Sequence, residues 1–104
     1  MSKVKGINPV HSFGYDSTWL NVYHANSGEG LPKHNHVYTH CTVCYAGKLK
    51  VTKAKGEWIL TKESKPVVLT AGEWHELEAI EDGTVWSNIF AHEFMEQDRT
   101  THGY

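Results

Sequence analysis

The chain has 104 residues, a net charge of −2 and 39% hydrophobic residues, which suits one small domain with a single core. This balance excludes a strongly basic nucleic-acid-binding surface, and no apolar stretch approaches the roughly 20 residues that a membrane-spanning helix needs. No apolar secretory segment follows Met1, so we expect a soluble, cytoplasmic protein without nucleic-acid or membrane partners. Residues 1–104 are predicted to form one domain with a core at about 17–92 and terminal extensions on either side.

Short β-like runs separated by turn residues make up most of the chain. The runs are rich in β-branched or aromatic residues, or alternate polar and apolar side chains. We predict strands at 19–25, 34–45, 48–52, 57–60, 66–70, 74–79 and 84–91. Glycine-containing turns separate several of them, for example at Gly47, Gly56 and Gly83. The pattern predicts an all-β barrel or sandwich, because closing or doubling the sheet buries apolar faces and reduces exposed edges.

Three histidines fall within seven positions, at His34, His36 and His40. Neutral imidazole is the commonest protein ligand for divalent transition metals, and it is available near neutral pH because the pKa of histidine is about 6.5. On a strand, His34 and His36 project from one face with Cα atoms about 7 Å apart, so both can reach one ion. On a straight strand His40 would lie about 13 Å from His36, which requires a bend or bulge between Val37 and Thr39.

Glycines at fixed distances complete a longer pattern around these histidines. The pattern consists of Gly28, His34, His36, His40 and Gly47. It resembles motif 1 of the cupin family, G-x5-H-x-H-x3,4-E-x6-G. His40 stands where the family usually carries glutamate, as in the minority of small cupins with a four-histidine metal site.

A second stretch, with Gly72 and His75, is similar to cupin motif 2, G-x5-P-x-G-x2-H-x3-N. It departs from that motif at the proline position, which is Thr70, and at the terminal asparagine, which is Ala79. The resemblance implies a double-stranded β-helix, the jelly-roll barrel of the cupins, with His75 as the fourth ligand beside His34, His36 and His40. It also implies a homodimer, since small cupins commonly form one.

Four nitrogen ligands predict one divalent transition metal, Fe, Mn, Ni, Co, Cu or Zn, and disfavour Mg and Ca. Because four neutral ligands leave the ion with its full +2 charge, the site favours an anionic or enolisable substrate or a reduced oxygen species. An octahedral ion would keep two positions open, which is a catalytic geometry more than a structural one.

Three functions remain open for such a site. The first is a metal-dependent oxygenase, a dioxygenase acting on a small chelated substrate, which the resemblance to small cupins that bind iron, manganese or nickel implies. The second is a non-redox isomerase, lyase or decarboxylase, which needs a general base such as Glu73 or Tyr38. The third is a module that binds or senses a small ligand without turnover.

The walls of the predicted cavity are harder to assign. Side chains on one face of a strand are two positions apart. If this period continues from His75 across the turn at 81–83, Ser87 and Ile89 point toward the cavity with His75. Cys44 shares a face with His40 if that histidine points inward, whereas Cys41 lies on the other face. We therefore predict Cys44, Ser87 and Ile89 as pocket residues. The remaining histidines are expected at the surface: His11, His24, His92 and His102.

Overall fold

Ten short strands and one 3-10 turn form the part of the chain that the structure, a computed structural model, describes, residues 3–94. The strands are β1 Lys5–Gly6, β2 His11–Tyr15, β3 Thr18–Ala25, β4 Glu29–His34, β5 His40–Ala46, β6 Leu49–Lys53, β7 Gly56–Leu60, β8 Val67–Leu69, β9 His75–Ala79 and β10 Thr84–Ala91, and the turn is His92–Phe94. The prediction of an all-β protein is confirmed. No helix within residues 3–94 has the length and apolar character needed to cross a lipid bilayer.

The strands form two five-stranded sheets. The first sheet has the order β1-β4-β9-β6-β7 and the second has the order β2-β3-β10-β5-β8. Apart from the parallel pair β1 and β4, all the strand pairs that the structure describes are antiparallel. Most neighbours in a sheet are distant in sequence, so the chain passes repeatedly from one sheet to the other.

Strands β1 and β2 lie before residue 17, where the sequence predicts a terminal extension. β1 pairs in parallel with the start of β4, and β2 pairs with β3 through its whole length. Both are edge strands of their sheets. β1 has only two residues and β2 is exposed throughout, so neither carries the alternation of buried and exposed residues that marks a strand in sequence.

Apolar side chains from both sheets fill the space between them. Leu49, Val51 and Leu77 of the first sheet and Trp86 of the second are fully buried. The indole of Trp86 stacks on the ring of Tyr23 with the ring centroids 5.1 Å apart. The apolar core occupies one part of the interior, and the buried histidines occupy another.

The three glycines in the cupin-like motifs, Gly28, Gly47 and Gly72, have backbone conformations that other residues rarely adopt. Gly47 has a φ of 72°, and a Cβ atom added there would lie 2.4 Å from the hydroxyl oxygen of Thr84. Gly72 has a φ of 80°. Since a side chain is strained at positive φ, and at Gly47 would also collide with β10, these motif positions require glycine for steric reasons.

Candidate metal centre

Antiparallel pairing of β4 with β9 brings His34 and His75 together. The two residues are direct partners in the register, although 41 positions separate them in sequence. The register shifts between Leu31 and His34, which is the signature of a bulge that re-aims the end of a strand. Both histidines therefore lie side by side in the first sheet, and His34 borders the cavity.

The chain leaves the first sheet after His34 and enters the second at His40. The predicted bend is thus confirmed, but it is a complete break: residues 35–39 belong to neither sheet, and His36 lies within this crossing segment. Gly72 donates its backbone N–H to the carbonyl of His36 at 2.7 Å. This hydrogen bond holds the two cupin-like motifs side by side.

The structure brings all four predicted histidines together, with three of them in the tightest group. The ligand nitrogens of His34, His36 and His75 lie within 4.8 Å of one another. The Nε2 atoms of His34 and His36 are 3.1 Å apart, and those of His40 and His75 are 3.4 Å apart. Two nitrogens bound to one ion at about 2.1 Å lie about 3.0 Å apart at a right angle and about 3.4 Å apart at a tetrahedral angle. The cluster fits a metal site, and joint ligation of one ion by all four histidines stays a prediction.

Hydrogen bonds at the far side of the rings place the protons where a metal ligand needs them. The Nδ1 atom of His34 faces the carbonyl oxygen of Pro32, and that of His75 lies 3.1 Å from the carbonyl oxygen of Glu73. A carbonyl only accepts hydrogen bonds, so each Nδ1 carries a proton, and in the neutral ring Nε2 is then unprotonated. The Nε2 atom of each ring then keeps its lone pair for a metal, the arrangement typical of metal-bound histidine.

His40 is held neutral by its surroundings. Burial, followed by the nearby rings of His75 and His34, lowers the pKa of His40 from 6.5 to about 3. A ring that does not protonate near neutral pH offers its lone pair to a metal without first releasing a proton.

The cavity beside the histidines has walls of aromatic, apolar and amide side chains. Its lining consists of Asn21, Tyr23, Leu31, His34, His36, Tyr38, His40, Asn88 and Phe90. Tyr38 packs against the ring of His36 at 4.6 Å and against Phe90 at 4.9 Å. Within this lining no Lys, Arg, Asp or Glu is present, so the cavity has no fixed charge of its own.

The predicted register of β10 is wrong. Asn88 and Phe90 line the cavity, and their cross-strand partners are Asn21 and Trp19. Ser87 and Ile89 therefore face away from it on the outer side of the second sheet. The turn before β10 has one residue more than the count assumed, which reverses the face of every side chain on the strand.

Cys44 is on the predicted inward face but does not line the cavity. It belongs to the buried core with Tyr23 and Trp86. Its thiol donates to the carbonyl of Ala46 at 3.4 Å, and burial raises its pKa. Cys41, three positions earlier, is partly exposed, and both cysteines are free thiols. Cys44 is thus corrected from a pocket residue to a core residue.

The histidines outside the cluster have surface positions where the structure describes them. His11 and His24 form an edge-to-face pair with ring centroids 6.4 Å apart, and both are exposed. His92 is exposed and contacts the ring of Trp19 at 5.3 Å. His102 lies outside the described residues.

Comparison with known proteins decides the fold. The chain matches no family model and no curated protein sequence. Among solved structures, KdgF from Halomonas sp. is similar with a TM-score of 0.73 at 12% identity, covering 84% of this chain and 80% of that one. A cupin-2 domain containing protein from Shewanella frigidimarina is similar with a TM-score of 0.66 at 11% identity, over 82% of this chain and 83% of its own. The chain has the cupin fold.

A third cupin structure, a cupin superfamily protein from Desulfitobacterium hafniense, matches with a TM-score of 0.63 at 12% identity and covers 82% of this chain and 81% of that one. The double-stranded β-helix predicted from the motifs is therefore confirmed. In this cupin fold the two sheets contribute different ligands: His34 and His75 come from the first sheet and His40 from the second. An ion held by them would connect the two sheets.

Proposed function

We propose that the protein is a mononuclear transition-metal enzyme, an oxygenase that acts on a small anionic or enolisable organic substrate. The observation that carries this proposal is the convergence of four imidazole side chains beside a cavity without fixed charge among its lining residues. Nitrogen donors suit Fe, Mn, Ni, Co, Cu or Zn. When bound, such an ion would supply dioxygen activation and Lewis-acid polarisation of a substrate oxygen.

The side chains of the cavity support a small substrate. The empty space among them, which includes open solvent at the mouth, is only about 220 Å³, so a substrate must be small. Leu31 and Phe90 provide apolar surface beside the histidines, which keeps bulk water away from a bound molecule. Because an ion with four neutral ligands keeps its +2 charge, an enolate or another anionic oxygen is the preferred further ligand.

A second candidate, a non-redox isomerase, lyase or decarboxylase, is favoured by the position of Tyr38. This tyrosine is 4% exposed, lines the cavity and packs on His36, so its hydroxyl is a candidate acid or base at the site. Glu73, the other candidate base, is ion-paired with Lys53 at 3.3 Å and is absent from the cavity lining. Replacing Tyr38 with phenylalanine separates the candidates, because proton-transfer chemistry needs the hydroxyl and dioxygen uptake does not.

Oxygen uptake by metal-loaded protein tests the proposal. After anaerobic loading with Fe(II), Mn(II) or Ni(II), we expect substrate-dependent oxygen consumption with at least one member of a panel of diketones and phenols. The His36→Ala variant should lose this uptake and the His24→Ala variant, altered at an exposed position, should keep it. A fully loaded protein that turns the panel over without consuming oxygen would identify the non-redox enzyme. Saturable binding without any turnover would identify a ligand-binding or sensory protein.

We also propose that the protein forms a homodimer through the outer face of the second sheet. Every strand of the first sheet carries at least one Lys or Glu, whereas the five strands of the second, as the structure describes them, contain no Lys, Arg, Asp or Glu. Exposed apolar side chains on this face include Phe13, Tyr15, Tyr45 and Val68. A face without charge meets a second copy of itself without like-charge repulsion.

The size of this face suits a dimer. The five strands have lengths of 5, 8, 8, 7 and 3 residues and cover roughly 500 Å² before side-chain relief is counted. Side-chain relief increases this flat area toward the roughly 800 Å² per partner of a standard interface.

Charge introduced into the centre of this face should prevent dimer formation. We expect Ile89→Lys, on the central strand β10, to convert the protein to a monomer in sedimentation velocity, because a buried unpaired ammonium is costly. The matched control is Ile59→Lys on the outer face of the first sheet, where Ile59 is 48% exposed and the variant should stay dimeric. A wild-type protein that sediments as a monomer at micromolar concentration would contradict this proposal.

A reducing, cytoplasmic location is a further part of the proposal. Cys41 and Cys44 are free thiols on opposite faces of β5. Unpaired cysteines at these positions are typical of proteins from reducing compartments.

A further inference from the structure

Asn88 is a buried amide in the wall of the histidine cavity. It lies on β10, is 5% exposed and lines the cavity. Its Oδ1 atom accepts a hydrogen bond from the hydroxyl of Thr42 at 2.7 Å. A side-chain amide has an acceptor oxygen on one edge and a donor NH2 group on the other. Since Thr42 takes the acceptor, the group that Asn88 offers to the cavity is the donor.

A chain of hydrogen bonds fixes this orientation from the histidine cluster. The Nδ1 atom of His40 lies 3.4 Å from the hydroxyl oxygen of Thr42, and its Nε2 atom faces the Nε2 of His75. When Nε2 of His40 binds a metal, the ring proton is on Nδ1 and is donated to Thr42. The hydroxyl of Thr42 then donates its own proton to Asn88. Thr42 is thus a positioning residue that connects a ligand of the proposed metal to its own cross-strand partner on β10, Asn88.

Asn21, the direct cross-strand partner of Asn88, has its amide oriented in the same sense. Its Oδ1 atom accepts from the hydroxyl of Ser12 at 2.7 Å and from the indole N–H of Trp19 at 3.1 Å. An indole nitrogen only donates, so the atom that faces Trp19 is the oxygen. Its amino group lies on the opposite edge of an amide that also lines the cavity.

We infer that Asn88 binds a carbonyl or carboxylate oxygen of the substrate. The inference rests on the proposed metal site and names the substrate class for it: a small compound with two oxygen functions, such as a diketone or a 2-oxo acid. One oxygen reaches the ion at the histidines and the other accepts from the Asn88 amide. Asn88 is accordingly the residue that selects two-oxygen ligands over ligands that reach the metal alone.

Two ligands, one that can reach both the metal and Asn88 and one that reaches the metal alone, test this inference on Fe(II)-loaded protein under anaerobic conditions. Acetylacetone, followed by its visible absorbance, carries two oxygens, whereas nitric oxide, followed by electron paramagnetic resonance, reaches only the metal. We expect Asn88→Asp and Asn88→Leu to weaken acetylacetone binding at least tenfold, because a hydrogen bond to a charged oxygen is lost. Both variants should retain wild-type iron content and nitric oxide binding. Thr42→Val should also weaken acetylacetone binding, but by a smaller factor. The Asn88 amide remains in this variant and loses only the hydrogen bond from Thr42 that orients it.

Ser87→Ala, on the outer face of the same strand, is the matched control and should bind acetylacetone as the wild type does. Unchanged acetylacetone affinity in both Asn88 variants at full iron content would overturn the inference. Equal weakening of acetylacetone and nitric oxide would also overturn it, because Asn88 would then support the metal site as a whole. Wild-type protein that takes up no iron, manganese or nickel would refute the proposed metal site itself, a failure that iron analysis separates from the role of Asn88.

Discussion

Replacing His75 with alanine is expected to remove the ability of the protein to hold a stoichiometric transition metal. His75 is 1% exposed, and its ring lies 4.6 Å from that of His34 and 5.2 Å from that of His40. Its loss takes away one of the three nitrogens of the tightest group. The affinity should fall by more than the roughly 10- to 100-fold that loss of an outer-shell partner costs. Elemental analysis after dialysis and competition with a chromogenic chelator measure this effect.

A histidine outside the cluster provides the matched control for this experiment. His24 is exposed on β3, so His24→Ala removes the same side chain without touching the cavity. Circular dichroism of both variants shows whether the fold is kept. Metal content and affinity at the wild-type level in folded His75→Ala protein would refute the assignment of His75 as a ligand.

The sequence was sufficient to find the cluster because its chemistry is local. The spacing of His34, His36 and His40 is readable within seven positions, and the glycines mark turns that only glycine adopts easily. The predicted bend after His36 followed from distance alone, since a straight strand is too long for a shared site. His75 was found through its resemblance to the second cupin motif, because the pairing of β4 with β9 joins residues far apart in sequence.

The walls of the cavity could not be predicted in the same way. The register of β10 depends on how many residues the turn after β9 contains, and a count that is off by one exchanges Asn88 for Ser87. The turn is fixed by contacts invisible in the sequence, such as the hydrogen bond from the hydroxyl of Thr84 to the carbonyl of Glu81 at 2.7 Å. A further signal was available. The side chains on both faces of β10 are mostly apolar, but only one face carries an asparagine that can lie beside Asn21 on the neighbouring strand.

Replacing Trp86 with alanine is expected to produce the largest loss of stability in this protein. The side chain is fully buried and stacks on Tyr23 at 5.1 Å, and truncating a buried tryptophan costs about 3–5 kcal/mol. This is a large part of the 5–15 kcal/mol by which domains are typically stable. We expect the midpoint of thermal unfolding to fall by more than about 10 °C. Trp58→Ala is the matched control: Trp58 is 43% exposed on the edge strand β7 and should cost about 1 kcal/mol or less.

The same variant tests whether the core and the metal site are independent. Trp86 is absent from the residues that line the cavity, so metal affinity should be nearly unchanged while the apo protein is destabilised. Saturating metal stabilises only the folded state, by about 2.7 kcal/mol at a free concentration 100 times the Kd. The gain in the free energy of unfolding on metal binding should therefore be the same in the wild type and in Trp86→Ala, as expected when the effects of two independent sites add. A much smaller increment in the variant, measured by denaturant unfolding with and without metal, would mean that the packing of Trp86 on Tyr23 holds the histidines in place.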